Sequence, residues 1–206
     1  MKLLLATNNA HKQRELKALL APLGVGVATP EDVGGIPEVL EDRPTFRGNA
    51  EKKAVSAARA RGMWALADDS GLEVDHLRGQ PGVRSARWAG AHGDDAANNA
   101  KLLRELAGVP QSARGARFVA ALALADPDGD VPLVVEGEAR GTILEAPRGS
   151  SGFGYDPLFA FAEPGRPQTG RTFAELAGEE KSAVSHRGRA LRLLARSLPA
   201  ILEAAR

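Results

Sequence analysis

Met63-Trp64-Ala65-Leu66-Ala67, followed by Asp68-Asp69-Ser70-Gly71, is the stretch that decides how this chain folds. The apolar run predicts a buried strand that delivers two adjacent carboxylates, a hydroxyl and a glycine to its end. Carboxylates beside such a run are costly to desolvate unless a metal, a cation or several donors meet them. The carboxyl end of a strand in an α/β sheet is a usual place for ligand chemistry. Asp-Asp-Ser-Gly is equally good turn composition, so a plain turn competes with a site. Neighbouring strand side chains point to opposite faces, so Asp68 and Asp69 are expected to have different jobs.

Working outward, Lys2 to Ala6 predicts a first strand and Thr7 to His11 a polar turn. Lys12 to Leu20 reads as a helix with Leu16, Leu19 and Leu20 on one face, stopped by Pro22 and Gly24. Residues 29–45 form a loop, and Phe46 to Arg61 a helix with a face of Ala50, Ala54, Ala57 and Ala58, ended by Gly62. A short strand is expected near Leu72 to Val74, and Asp94 or Asp95 caps a helix reaching about Ala107. Arg117 to Ala125 and Val131 to Ala139 predict two strands joined by Asp126-Pro127-Asp128-Gly129. Pro147 to Asp156 is a glycine-rich loop, and Thr172 to Glu175 matches a capping box. The final helix is expected from Ser182 or Ser185, with Leu191, Leu194, Leu198 and Ile201 inward and Pro199 bending it. The fold class is mixed α/β, and the hairpin argues against a purely parallel sheet.

The 206 residues suffice for one large domain or two small lobes, with 43% hydrophobic and 26% charged side chains. A net charge of +1 gives no bulk field that would suggest long nucleic acid or an anionic membrane as partner. Any anion must therefore be gripped by a few placed cations. The absence of cysteine excludes disulfides and thiolate metal sites. Met1 to Ala6 is too short for a signal peptide and no run approaches transmembrane length, so a cytoplasmic enzyme or binding protein is expected.

Four constellations carry chemistry. In Thr7-Asn8-Asn9-Ala10-His11-Lys12, free amide groups at a helix start form an anion cradle, and Lys12 opposes the helix dipole unless an anion sits between. A solvated lysine is the plain alternative. Lys181, His186 and Arg187 repeat that pattern at the start of the last helix, with Glu179 and Glu180 as partial neutralisers. Gly152-Phe153-Gly154-Tyr155-Asp156-Pro157 places two scarce aromatics in a flexible loop, where a ring can stack on a nucleobase or pin the loop to the core. Glu38, Glu41 and Asp42, with Asp68 and Asp69, supply hard oxygen ligands that suit Mg²⁺. The four histidines show no zinc-ligand spacing.

Together these blocks resemble the inosine triphosphate pyrophosphatase family. The resemblance rests on Leu5 to Lys12, Thr45-Phe46 with Asn49-Ala50, Ala67 to Leu72, Pro81 to Arg87, Gly152 to Pro157 and Glu180 to Arg187, in the family's order over nearly the whole chain. It implies a single domain of two lobes over residues 1–206, an elongated mixed sheet flanked by helices, a central cleft and a homodimer. It implies Mg²⁺-dependent hydrolysis of ITP, dITP or XTP to the monophosphate and pyrophosphate, with no role for nucleic acid or membrane. Carried onto this chain, Thr7, Asn8, Asn9 and Lys12, with Ala10 and His11 in the same turn, hold the triphosphate, and Lys53 is a further phosphate contact. Glu41 and Asp69 are the implied metal ligands, and Asp69 also the base for the attacking water. Ser70 contacts substrate, Phe153, Gly154, Tyr155 and Asp156 surround the base, and Lys181, His186 and Arg187 complete the contacts.

Some positions depart from the pattern: Asn8 stands where many members have glycine, Gly48 where glutamate is frequent, and Arg84 and Trp88 where tyrosine is common. Two rivals keep the fold but change the role: an inert nucleotide-binding regulator, and a pyrophosphatase for modified pyrimidine nucleotides. The full acidic set opposes the first, and the Phe153 loop with His186-Arg187 opposes the second. A single-stranded nucleic-acid module lacks the basic–aromatic stripe it would need.

Overall fold

The computed structural model describes residues 2–204. Its strands are β1 (Lys2–Leu5), β2 (Gly26–Ala28), β3 (Ala65–Val74), β4 (Gly115–Ala125), β5 (Leu133–Ile143) and β6 (Phe159–Phe161). Its α-helices are α1 (Ala10–Leu20), α2 (Phe46–Arg61), α3 (Asp95–Glu105), α4 (Gly178–Val184) and α5 (His186–Ala204). The strands form one six-stranded sheet in the order β2-β1-β3-β4-β5-β6. β1 is parallel to β2 and β3, whereas β5 and β6 are antiparallel, so the sheet is mixed as expected.

The residues divide into two compact units, and the chain passes from one to the other within β3, β4 and β5. The first comprises residues 1–69, 120–137 and 187–206, and the second residues 70–119 and 138–186. Each has its own core. In the first, Leu3, Leu5 and Leu66 of the sheet pack with Leu16 and Leu20 of α1 and Leu191, Leu194 and Leu198 of α5. In the second, Phe118, Phe159, Phe161 and Phe173 gather with Leu72, Leu102 and Leu158.

Local chemistry sets the helix ends. Asn9 caps α1 by accepting from the His11 and Lys12 amides, Thr45 caps α2 through Gly48, and Asp94 caps α3 through Ala97. Gly62 closes α2 at φ +58, in the left-handed region open to glycine. The alanine face of α2 is buried as its spacing predicts.

Four expectations need correction. Met63–Ala67 and Leu72–Val74 are not two strands with a turn between: β3 runs unbroken from Ala65 to Val74, so Asp68 and Asp69 stand mid-strand. Gly71 makes this possible, because a Cβ there would come within 3 Å of the Gly82 carbonyl and of Ser85 Cβ. The final helix starts at His186, just after Ser185, one of its two expected starts, but Lys181 lies in a separate helix, α4, which Ser185 closes by turning extended at ψ 155 and donating its N–H to the Lys181 carbonyl. α5 continues as helix through Pro199. The Thr172 capping box forms, with Glu175 accepting from the Thr172 amide at 2.7 Å, but it starts only a single 3₁₀ turn. β2 and β6, three residues each, had too little pattern to be read from sequence.

Candidate active site

The first unit gathers five charged side chains around the adjacent aspartates of β3. Asp68 is fully buried and is met by cations from two helices. Lys12 Nζ, from the first turn of α1, lies 2.5 Å from Oδ1, and Arg187 Nε, from the start of α5, lies 3.0 Å from Oδ2. Arg187 is only 2% exposed and is also paired with Glu15, one turn after Lys12. Burial alone would push the Asp68 carboxyl up, but the Arg187 and Lys12 charges outweigh it and hold it well below the usual carboxylate range.

Asp69 faces a different set. Lys53 Nζ of α2 lies 2.8 Å from its Oδ1, and Asn49 Nδ2, one turn earlier, donates to Oδ2 at 3.2 Å. The same ammonium lies 2.8 Å from Glu41, so one cation bridges two carboxylates. Burial pushes the Asp69 carboxyl up, against the pull of Lys53 and Lys12, and the neighbouring Glu41 charge adds to the rise. Burial would lower the Lys53 ammonium, but Asp69 and Glu41 outweigh it and keep it charged. The alternation of a strand thus gives two touching residues opposite proton affinities, the division of labour their spacing predicts.

The Glu41 loop is fixed from α2. Lys52 Nζ donates to the Leu40 carbonyl at 2.9 Å and to Asp42 at 2.8 Å, while Asn49 Oδ1 accepts from the Arg43 amide at 3.0 Å. Asp42 is therefore spent on Lys52, and Glu38 is exposed.

The helix-start cradle differs from expectation. Asn9 Oδ1 takes the His11 amide at 2.9 Å and the Lys12 amide at 3.1 Å, so an asparagine cap meets the donors that an anion was expected to meet. Thr7 Oγ1 accepts from the Asn9 amide, His11 lies beside Arg14 at 2.8 Å, and Asn8 and Ala10 are exposed. What α1 contributes to the cluster is Lys12 and Glu15.

The second unit holds the aromatic loop. Phe153 is half-buried, and its amide donates to Asp156 Oδ2 at 2.9 Å. Lys181 Nζ meets that same oxygen at 2.7 Å and stands 5.2 Å from the centre of the Phe153 ring. Tyr155 is buried and donates its hydroxyl to the Ser85 carbonyl at 2.9 Å, so it pins the loop instead of presenting a free face. Lys181 lies in the last turn of α4 and not at the start of the final helix, because Ser185 separates the two helices. Glu180 pairs with Arg171 at 2.7 Å instead of neutralising that lysine. His186 stacks on Phe118 with ring centres 4.7 Å apart and planes 10° from parallel, and on Phe173 at 6.3 Å. Its imidazole joins an aromatic stack at the first position of α5. Ser70 follows Asp69 directly in β3.

The structure therefore brings Lys12, Lys53, Glu41, Asp69 and Arg187 into one cluster, and Phe153, Asp156 and Lys181 into another. Sequence reasoning counted Asp68 among the oxygen ligands, whereas here two cations hold it, and it gave no role to Asn49 or Glu15. Their signals were present: Asn49 and Lys53 share a helix face at i and i+4, as Lys12 and Glu15 do at i and i+3.

The Ham1 family model matches residues 3–197. A curated relative from Desulforamulus reducens, called dITP/XTP pyrophosphatase, is 53% identical over 192 residues, covering 93% of this chain and 92% of the relative. The solved HAM1 protein of Coxiella burnetii superposes with a TM-score of 0.84 at 39% identity, covering 97% of this chain and 98% of that one. The Staphylococcus aureus Ham1 protein gives 0.82 at 35% identity, with both chains fully covered. With the match running through both units and every motif described above, this chain belongs to the Ham1 family.

Proposed function

We propose that this protein hydrolyses non-standard purine nucleoside triphosphates, ITP, dITP and XTP, to the monophosphate and pyrophosphate. Its relatives' name, dITP/XTP pyrophosphatase, supports that substrate class. The observation that carries the reading is the contrast between Asp68 and Asp69. One carboxylate is neutralised by two cations and fixed, while its neighbour is buried with a raised proton affinity, as a base for water requires.

Glu41 and Asp69 fit Mg²⁺. They already converge on one cation, the Lys53 ammonium, at 2.8 Å each. Mg²⁺ takes one or two carboxylates and completes its shell with water and phosphate oxygens, which this pair would allow. Charge balance argues the same way. Lys12, Lys53 and Arg187 face Asp68, Asp69, Glu15 and Glu41, three cations against four carboxylates, so a polyphosphate would meet a net negative cluster. When bound, Mg²⁺ supplies charge neutralisation on the phosphate oxygens.

The chain's own residues do the rest. Lys12 and Lys53 pair with phosphate oxygens, each shifting from a carboxylate that holds it in place. Asn49 orients the Asp69 carboxylate, which accepts the proton of the attacking water. The Phe153 ring stacks on the purine, and Asp156 with Lys181 supplies polar contacts to its edge. A pocket built to pair with a 6-oxo group leaves the 6-amino group of adenine facing a donor, which supports strong rejection of ATP. The same family likeness carries a cytoplasmic homodimer acting on free nucleotides.

Incubation with ITP, ATP and GTP in the presence of Mg²⁺, with the products separated, tests this. IMP and pyrophosphate from ITP, with ATP largely spared, are expected. IDP with phosphate, or no turnover of any of the three, would contradict it.

A further inference from the structure

Asp95 and Asn99 stand one helical turn apart at the start of α3 and hold both backbone polar groups of a single residue. The Gly154 amide donates to Asp95 Oδ2 at 2.6 Å, and the Gly154 carbonyl accepts from Asn99 Nδ2 at 2.9 Å. Gly154 sits at φ +62, so this grip acts on a backbone that glycine alone adopts without strain. The cap of α3 does not need Asp95, because Asp94 already accepts from the Ala97 amide at 2.9 Å. Asn99 is committed to the loop at a cost: its Oδ1 is buried with no hydrogen-bond partner. Buried acceptors are rarely left so in native proteins.

On either side of Gly154 the loop is fixed by different means. Tyr155 is anchored through its hydroxyl on the Ser85 carbonyl, and the Phe153 amide is taken by Asp156. The clamp on Gly154 therefore sets the remaining backbone freedom between the Phe153 ring and the Tyr155 anchor. Neither Asp95 nor Asn99 adds a side chain to the loop itself. They act through the backbone of the residue next to Phe153.

We propose that Asp95 and Asn99 are positioning residues for base recognition, gripping Gly154 so that Phe153 and Asp156 are presented to the purine in one fixed geometry. This rests on the assignment of the Phe153 loop to the base. Binding of an ordered loop costs less than binding that must first order it. Loosening the clamp should thus raise KM and blur discrimination between bases, with a smaller effect on the chemical step.

Two measurements on Asp95→Ala, Asn99→Ala and Asp95→Asn test the proposal. Hydrogen exchange of the Gly154 amide, read without substrate, should be slow in the wild type and fast in Asp95→Ala. Steady-state kinetics should show KM for ITP about tenfold higher in both alanine variants and the ITP-over-ATP preference reduced about tenfold, with kcat less affected. Asp95→Asn, which keeps an oxygen acceptor, should recover most of the loss. Fast exchange at Gly154 in the wild type would overturn the clamp. Lost protection in Asp95→Ala with KM and base preference unchanged would overturn its role in recognition. Failure of the wild type to hydrolyse ITP, with Gly154 still protected, would instead overturn the proposed function and the recognition role with it, while leaving the clamp standing.

Discussion

Lys53 holds Asp69 at 2.8 Å from a helix whose Asn49, one turn earlier, takes the other carboxylate oxygen. The reacting carboxylate of the proposed site is therefore oriented from one rigid face of α2. Its neighbour Asp68 is oriented from α1 and α5. Two adjacent residues of one strand thus answer to different helices, and their variants should behave differently.

Asp68→Asn should destabilise the fold. Removing the carboxylate takes an ion-pair partner from the buried Arg187, and breaking a buried pair costs about 3–5 kcal/mol. Urea unfolding at neutral pH checks this, and a loss below about 1 kcal/mol would show that the pair contributes little.

Acid sensitivity has a definite sign. The Asp68 carboxyl is held below its unfolded value, so its contribution is present above the ordinary aspartate pKa and lost as pH falls below about 5. Wild-type stability should fall across that range, and the fall should be shallower in Asp68→Asn. Unfolding curves from pH 7 to pH 3 measure both slopes.

Lys53→Met removes the charge that opposes the effect of burial on Asp69. In metal-free protein the Asp69 carboxyl should then hold its proton to higher pH than in the wild type. Carbon-detected NMR titration of the side chain reads the direction. A shift downward would mean that Lys53 does not stabilise the ionised form.

Lys12→Ala should chiefly weaken the grip on the triphosphate. Loss of a charge-assisted contact of about 1.5–3 kcal/mol predicts a rise in KM of about tenfold or more. The dependence of KM on salt should also weaken. Unchanged KM for ITP would argue that Lys12 serves only Asp68.

Much of this was legible in the sequence, for physical reasons particular to each element. The alanine face and Gly62 stop of α2 are local signals, and the helix has the predicted bounds. The cluster of Lys12, Lys53, Glu41 and Asp69 was reached through motif resemblance, since no spacing rule connects residues so far apart in the chain. The uninterrupted β3 was not legible: Asp-Asp-Ser-Gly has turn composition, and what opposes a turn there, the strand's place between β1 and β4 and the close packing of Gly71 on Gly82 and Ser85, comes from distant segments. The start of the last helix after Ser185 was one of the two that the sequence offered, but α4 before it is only seven residues long and was not read as a separate helix. His186 looked like a cation at a helix end because its partners, Phe118 and Phe173, come from distant segments.

Asp69→Asn tests the division of labour most directly, with ITP turnover and the unfolding midpoint measured on the same preparation. Asparagine keeps the shape of the side chain and Glu41 still faces Lys53, so the variant should stay folded with a midpoint close to that of the wild type. Turnover should fall by about 100-fold or more. A variant that keeps most of its activity, or one that loses activity only because it unfolds, would contradict the assignment of Asp69 as the reacting carboxylate.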